Sequence, residues 1–186
     1  NPVDWNVSWQ TRYMGTTGHL TVTAATHGGI YKYAVDRWAN IRPDFASPHR
    51  FRLNLELPDA EWKEQKIENG LPIILTSLQK NDQQFQVEQY ASTLGDASEA
   101  IRGYVRSVML TRVSVSGKAG PVSFGFSFNN ERKDRKLVIK GNTVADVSTG
   151  ETLLTVEAPG FTIKAEENGA IEKGQQVTFS LSTNLT

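Results

Sequence analysis

The chain has 186 residues, and its twenty Lys and Arg side chains cancel twenty Asp and Glu. That neutrality removes the field with which a protein grips nucleic acid or an anionic membrane. The absence of cysteine excludes a disulfide framework, thiolate metal sites and thiol catalysis, and no apolar run approaches the roughly 20 residues that span a bilayer as a helix.

In chain order, Asn6–Tyr13 reads as a first strand, with Val7, Trp9 and Thr11 on one face. Gly18 opens a second, where Leu20, Val22 and Ala24 alternate with threonines, and His27-Gly28-Gly29 signals a turn. Ile30–Val35 is a third, aromatic-rich strand, and residues 36–49, with two prolines and no usable period, read as a long irregular connection. Arg50–Leu57 alternates cleanly: Phe51, Leu53, Leu55 and Leu57 against Arg50, Arg52, Asn54 and Glu56. Residues 59–69 fit a short helix and an irregular strand equally well, with Trp62 as the large apolar anchor.

Leu71–Leu78 and Phe85–Tyr90 form the central hairpin around Lys80-Asn81-Asp82-Gln83. Ile73-Ile74-Leu75 has no polar gap, which predicts burial on both faces. Phe85 and Val87 lie opposite Gln86 and Glu88, the pattern of a strand with one face wet. Thr93–Gly103 reads as loop. Tyr104–Ser116 is a long strand buried on both faces at Val108-Met109-Leu110, and Ser116–Pro121 a hairpin turn. Val122, Phe124, Phe126 and Phe128 then alternate with Ser123, Gly125 and Ser127, and Asn129–Lys136 is a charged turn. Short strands follow at Leu137–Ile139, Val144–Val147, Leu153–Val156, Phe161–Ala165 and Val177–Leu181.

Ten or more evenly spaced strands with little helix define an all-β, antiparallel β-sandwich. No repeat or domain boundary interrupts residues 1–186, which read as one β-sandwich domain. The start at Asn1-Pro2, without an initiator Met or signal peptide, predicts a processed product or a piece of a longer, multidomain protein.

Reactive constellations are sparse. His19, His27 and His49 lack the close spacing of metal ligands, and they read as surface or loop residues. No nucleophile elbow, Walker loop or dinucleotide fingerprint is present. Asp146–Glu151 faintly resembles a calcium loop, with the wrong spacing and too few carboxylates. No catalytic residue, metal or cofactor is expected. Asp36, Asp44, Asp59 and Glu61 offer loop carboxylates from which a hydrolytic pair could be drawn, against the plainer reading of solvated acids. Asn6-Val7-Ser8 and Asn184-Leu185-Thr186 match glycosylation sequons. Aromatic residues are more informative. Tyr31, Tyr33 and Trp38 fall within eight positions, beside Asp36, Arg37 and Arg42. Flat rings bury the apolar face of a sugar while charged and amide groups take its hydroxyls. Tyr31, Tyr33, Asp36, Arg37 and Trp38 are thus the candidate carbohydrate contacts. The competing reading closes a β core or faces a neighbouring domain with these rings. Trp5, Trp9 and Trp62 read as core or interface.

The segments LNLELPDAEW and NGLPIILTSLQKNDQQFQVEQYA, the long strand Tyr104–Ser116 and the final Lys173–Phe179 motif resemble one family. It is the N-terminal β-domain, a supersandwich of galactose-mutarotase-like type, of bacterial six-hairpin (α/α)6 glycoside hydrolases. The likeness covers residues 45–183; the Ser116–Gly120 turn departs from the polar turn common there. The resemblance implies a non-catalytic accessory domain that packs on the catalytic helical barrel of the same protein and helps frame a glycan site. An extracytoplasmic location, periplasmic or secreted, is expected with it; the neutral charge and the lack of a long apolar run predict no nucleic acid partner and no membrane span. Three alternatives stay open: a free-standing carbohydrate-binding module or lectin, a stand-alone hydrolase using loop acids such as Asp36 and Asp44, and an adhesive surface domain.

Overall fold

The computed structural model describes residues 20–23, 33–43, 51–68, 71–94, 107–130, 135–165, 170–171 and 174–186. Fifteen strands occur among them: β1 Leu20–Thr23, β2 Tyr33–Asp36, β3 Ile41–Pro43, β4 Phe51–Glu56, β5 Glu61–Ile67, β6 Ile74–Lys80, β7 Gln83–Thr93, β8 Ser107–Gly117, β9 Gly120–Asn130, β10 Leu137–Lys140, β11 Thr143–Asp146, β12 Thr152–Thr155, β13 Thr162–Ala165, β14 Ala170–Ile171 and β15 Gln176–Leu185. The chain is all-β and antiparallel, a many-stranded fold of the sandwich class, with no helix among the described residues. It divides into two compact units, residues 1–48 with 59–117 and residues 49–58 with 118–186.

In the first unit β1, β2 and β3 form one antiparallel ladder, and β5-β6-β7-β8 form a four-stranded sheet. The β6–β7 hairpin closes over Asn81-Asp82, with Lys80 opposite Gln83. Asn81 takes φ 54°, a left-handed conformation that asparagine tolerates better than most residues. Register then decides the faces. Ile74, Thr76 and Leu78 on β6 oppose Gln89, Val87 and Phe85 on β7, and all six are buried. Gln79, Gln84, Gln86, Ser114 and Ser116 lie in the opposite phase and are exposed. Ile74 and Leu75 are both buried, as the unbroken apolar run predicts. Leu110 is not: it shares the outer face with Tyr90 and is 40% exposed, so β8 is wet at the point expected to be covered on both sides.

Residues 59–69 resolve in favour of strand. β5 pairs with β6 from Glu61 to Ile67, with a bulge between Trp62 and Glu64. Its helix-favouring charges line a strand with β6 as its sole ladder partner among the described residues. Lys63 bonds Glu61 at 2.7 Å and Lys66 pairs Glu64 at 3.0 Å. Charges of this kind discourage edge-to-edge association. Trp62, expected in a core or interface, is 38% exposed. The long connection 36–49 is also less irregular than expected, because Ile41–Pro43 pairs with β2.

The second unit holds β4-β9-β15-β13 and β12-β11-β10-β14, each antiparallel. Leu53 and Val177 flank Phe128 in register, Leu55 and Phe179 flank Phe126, and Leu181 and Ile163 continue the row beside Phe124. The rings of Phe51 and Phe128 lie 5.2 Å apart, and Phe124 meets Phe161 edge-on at 5.7 Å. The buried members, Phe124, Phe128, Val177, Phe179 and Leu181, contribute about 1.5–3 kcal/mol each, less the entropy of fixing them. Gly125 is required by proximity: a Cβ there would lie 2.6 Å from the Phe179 carbonyl oxygen. The bend at Lys118-Ala119 does not close a hairpin, since β8 pairs with β7 whereas β9 pairs with β4 and β15. The strand at Asn6–Tyr13, the segment Thr93–Gly103 beyond Leu94 and the middle of the Asn129–Lys136 turn lie outside the described residues.

Candidate functional site: the β2–β3 turn

β2 ends at Asp36, and after four intervening residues the chain returns as β3 at Ile41. The turn is organised by the Asp36 carboxylate. Its Oδ1 accepts the N–H groups of Trp38 at 2.9 Å and Asn40 at 3.0 Å, and its Oδ2 accepts from the Asn40 side-chain amide at 3.0 Å. The main chain closes the loop twice, Asp36 N–H to Asn40 O and Ala39 N–H to Asp36 O, both at 3.0 Å. Such side-chain capping of the following backbone is what aspartate offers in a turn. Ala39 sits at φ 63°, a conformation that costs a residue with a Cβ about 1–2 kcal/mol. It persists where the surroundings over-determine it.

Two glutamines of the four-stranded sheet reach this turn. Gln65 Nε2 on β5 donates to the Asp36 carbonyl and to Thr76 Oγ1, both at 2.9 Å. Gln89 Nε2 on β7 donates to the Ala39 carbonyl at 2.9 Å and to Thr111 Oγ1 at 3.3 Å. Gln89 is fully buried.

At the tip, the Arg37 guanidinium lies 5.3 Å from the Trp38 ring centroid, and Trp38 is 36% exposed. A flat ring with a cation stacked on it, carried on a hydrogen-bonded turn, can take the apolar face of a pyranose while the guanidinium donates to its hydroxyls. Of the expected contacts, Arg37 and Trp38 come together in this way. Asp36 adjoins them, but as the internal cap of the turn. Tyr33 is half-buried at the far end of β2, about 10 Å along the strand from Asp36. Tyr31 lies outside the described residues, as do Asp44, the three histidines, Trp5 and Trp9.

The remaining acids are spent locally or stand apart. Glu61 holds Lys63, and Asp59 is exposed in a turn at φ 61°. The loop at Asp146–Glu151 is closed by Asp146 on its own backbone, and the Asp146 carboxylate faces Arg135 at 3.2 Å. A cation is thus already supplied by the protein where a calcium ion would have to sit. No group of three or more His, Cys, Asp or Glu suited to a metal ion occurs among the described residues. No described helix is long and apolar enough to cross a membrane.

The two glutamines are the residues that sequence reasoning missed. Gln89 continues the inward phase of Phe85 and Val87, so a polar side chain at a core position was the available signal. The class defined by fold and site is an antiparallel β-sandwich carrying an aromatic turn. No family model, no curated protein and no solved structure matches the chain.

Proposed function

We propose that the chain is a non-catalytic β-sandwich accessory domain of a carbohydrate-active enzyme, a glycoside hydrolase, which packs on the catalytic helical barrel and frames glycan with the Arg37–Trp38 turn. The observation that carries the reading is the presentation of Trp38. Its ring is stacked by Arg37, and the neighbouring carboxylate is consumed in holding the turn. A turn built this way fits binding better than acid–base chemistry, because the acid nearest the ring has its oxygens occupied by N–H donors. The resemblance of LNLELPDAEW and NGLPIILTSLQKNDQQFQVEQYA to segments of six-hairpin glycoside hydrolases supplies the link to a carbohydrate-active parent.

The test is affinity electrophoresis of the purified chain through a panel of polysaccharides, with hydrolysis followed in parallel. Retention by at least one glycan is expected, together with its loss in Trp38→Ala and no release of reducing ends. Retention that survives Trp38→Ala, or turnover by the chain alone, defeats the proposal. A free-standing binding module would show the same retention. An open reading frame that runs on from Thr186 into long amphipathic helical hairpins separates the two.

A further inference from the structure

We propose that Gln65 and Gln89 are positioning residues: two side-chain amides of the four-stranded sheet that clamp the β2–β3 turn by its carbonyls and so fix the direction in which Arg37 and Trp38 are presented. The inference deepens the glycan-framing role and rests on it for the meaning of the presentation. The clamp has its own physical test.

The contacts are specific. The carbonyls of Asp36 and Ala39, on either side of Arg37 and Trp38, each receive one glutamine Nε2 at 2.9 Å. Each amide is in turn steadied by a threonine on the neighbouring strand, Thr76 for Gln65 and Thr111 for Gln89. Register places them in two adjacent inward rows: Gln65 on β5 lies opposite Thr76 on β6, in the row of Val87, and Gln89 on β7 lies opposite Thr111 on β8, in the row of Ile74. Rows of this kind are a poor choice for a sheet serving only its own packing. Gln89 has no exposed surface, and its Oε1 has no hydrogen-bond partner among the described residues. Burying an unmet acceptor is costly, and an aliphatic side chain at this inward position would avoid it. What the glutamine gives in return is the bond to Ala39, the residue held at φ 63°. The amide orientation is determined, because the reverse assignment would set Oε1 against the Ala39 carbonyl oxygen.

A recognition element whose order is set beforehand loses less entropy on binding than a mobile one. The clamp therefore acts through Trp38, without touching the glycan.

Amide hydrogen exchange of Gln89→Leu and Gln65→Leu, read residue by residue, tests the clamp. In each variant the Trp38, Ala39 and Asn40 amides should exchange about five- to tenfold faster, the effect of losing one hydrogen bond. The amides of Leu78, Phe85 and Val87 should keep their rates. Retention on the glycan that the unsubstituted chain binds should weaken while Trp38 remains in place. Unchanged turn exchange overturns the clamp, and so does an acceleration shared equally by β6 and β7, which would mark general loosening. Faster turn exchange with undiminished retention overturns the positioning role. Gln65 is half-buried on a largely exposed strand, so its variant decides the matter if Gln89→Leu does not fold. Absence of retention by the unsubstituted chain removes the proposed function itself, and the exchange measurement then decides the clamp alone.

Discussion

Each unit contains a turn built on one aspartate, and the two are held by different means. In the first unit Asp36 caps the N–H groups of Trp38 and Asn40, its second oxygen takes the Asn40 amide, and neutral glutamines hold the turn's carbonyls. In the second unit Asp146 caps Ser148 N–H at 2.8 Å and Thr149 N–H at 3.2 Å, and also accepts from the Ser148 hydroxyl. Its second oxygen faces the Arg135 guanidinium at 3.2 Å, with the Asp146 side chain wholly buried and Arg135 only 18% exposed. The capping device is shared, but the anchor is a set of amides in one turn and an ion pair in the other. An amide clamp gives direction without charge, which suits a turn that presents a side chain. An ion pair in a dry setting is costly to break from one side, because the partner charge is left buried, and it depends on protonation. The tips differ accordingly: a stacked Arg37–Trp38 pair in one, small exposed residues around Val147-Ser148-Thr149 in the other.

The largest effect is expected where the charge is buried. Asp146→Ala leaves Arg135 facing an empty, dry site and frees three donors at once. The loss should be about 3–5 kcal/mol, read as a lower urea midpoint in equilibrium unfolding. A loss below about 1 kcal/mol would erase the proposed distinction between the two anchors.

Acid should act on the same group with a smaller effect, since protonation keeps the shape of the carboxyl. The Ser148 hydroxyl holds the Asp146 pKa below its ordinary value, helped by the Ser148 and Thr149 N–H groups and by Arg135, while burial opposes them. A carboxyl lowered in the folded state binds its proton more readily when unfolded. It therefore stabilises the fold above the unfolded value near 3.8 and loses that contribution as pH falls through the lower folded value. Stability measured from pH 6 downward should decline through this window, and Asp146→Asn should flatten the decline. Equal slopes in the two proteins would show that other carboxylates carry it.

The contrast also shows what could be read from the sequence. Alternation at Phe51–Leu57 and at Phe85–Val87 reports its faces directly, because one-sided burial imposes a period of two; at Val122–Phe128 it does not, since Gly125 and Ser127 are buried and Phe126 is half-buried. β5 was ambiguous because its charges suit a helix and an exposed strand alike, and pairing with β6 settled it. β3 was hidden in a proline-bearing stretch only three residues long. Of the aromatic cluster, Trp38 and Arg37 stack at the β2–β3 turn, whereas Asp36 is its cap and Tyr33 stands apart. Gln65 and Gln89 donate to carbonyls 29 and 50 positions away, and no local pattern reports a bond that only the tertiary fold creates.

Asp36→Ala is the counterpart in the amide-held turn and should have the smallest effect on global stability. It removes one cap with three hydrogen bonds, but the Gln65 and Gln89 bonds to the main chain remain. A loss of about 1–2 kcal/mol follows, the usual scale for a lost cap. The functional effect should exceed it, because Trp38 N–H loses its acceptor and the ring its fixed bearing. Amide exchange at Trp38 and Asn40 should therefore rise more than at Ala39, whose N–H still meets the Asp36 carbonyl. Asp36→Asn keeps one acceptor oxygen and should restore most of the order. If Asp36→Ala costs as much as Asp146→Ala, the amide-held turn bears as much of the fold as the ion pair, and the idea that the first turn is built for presentation fails.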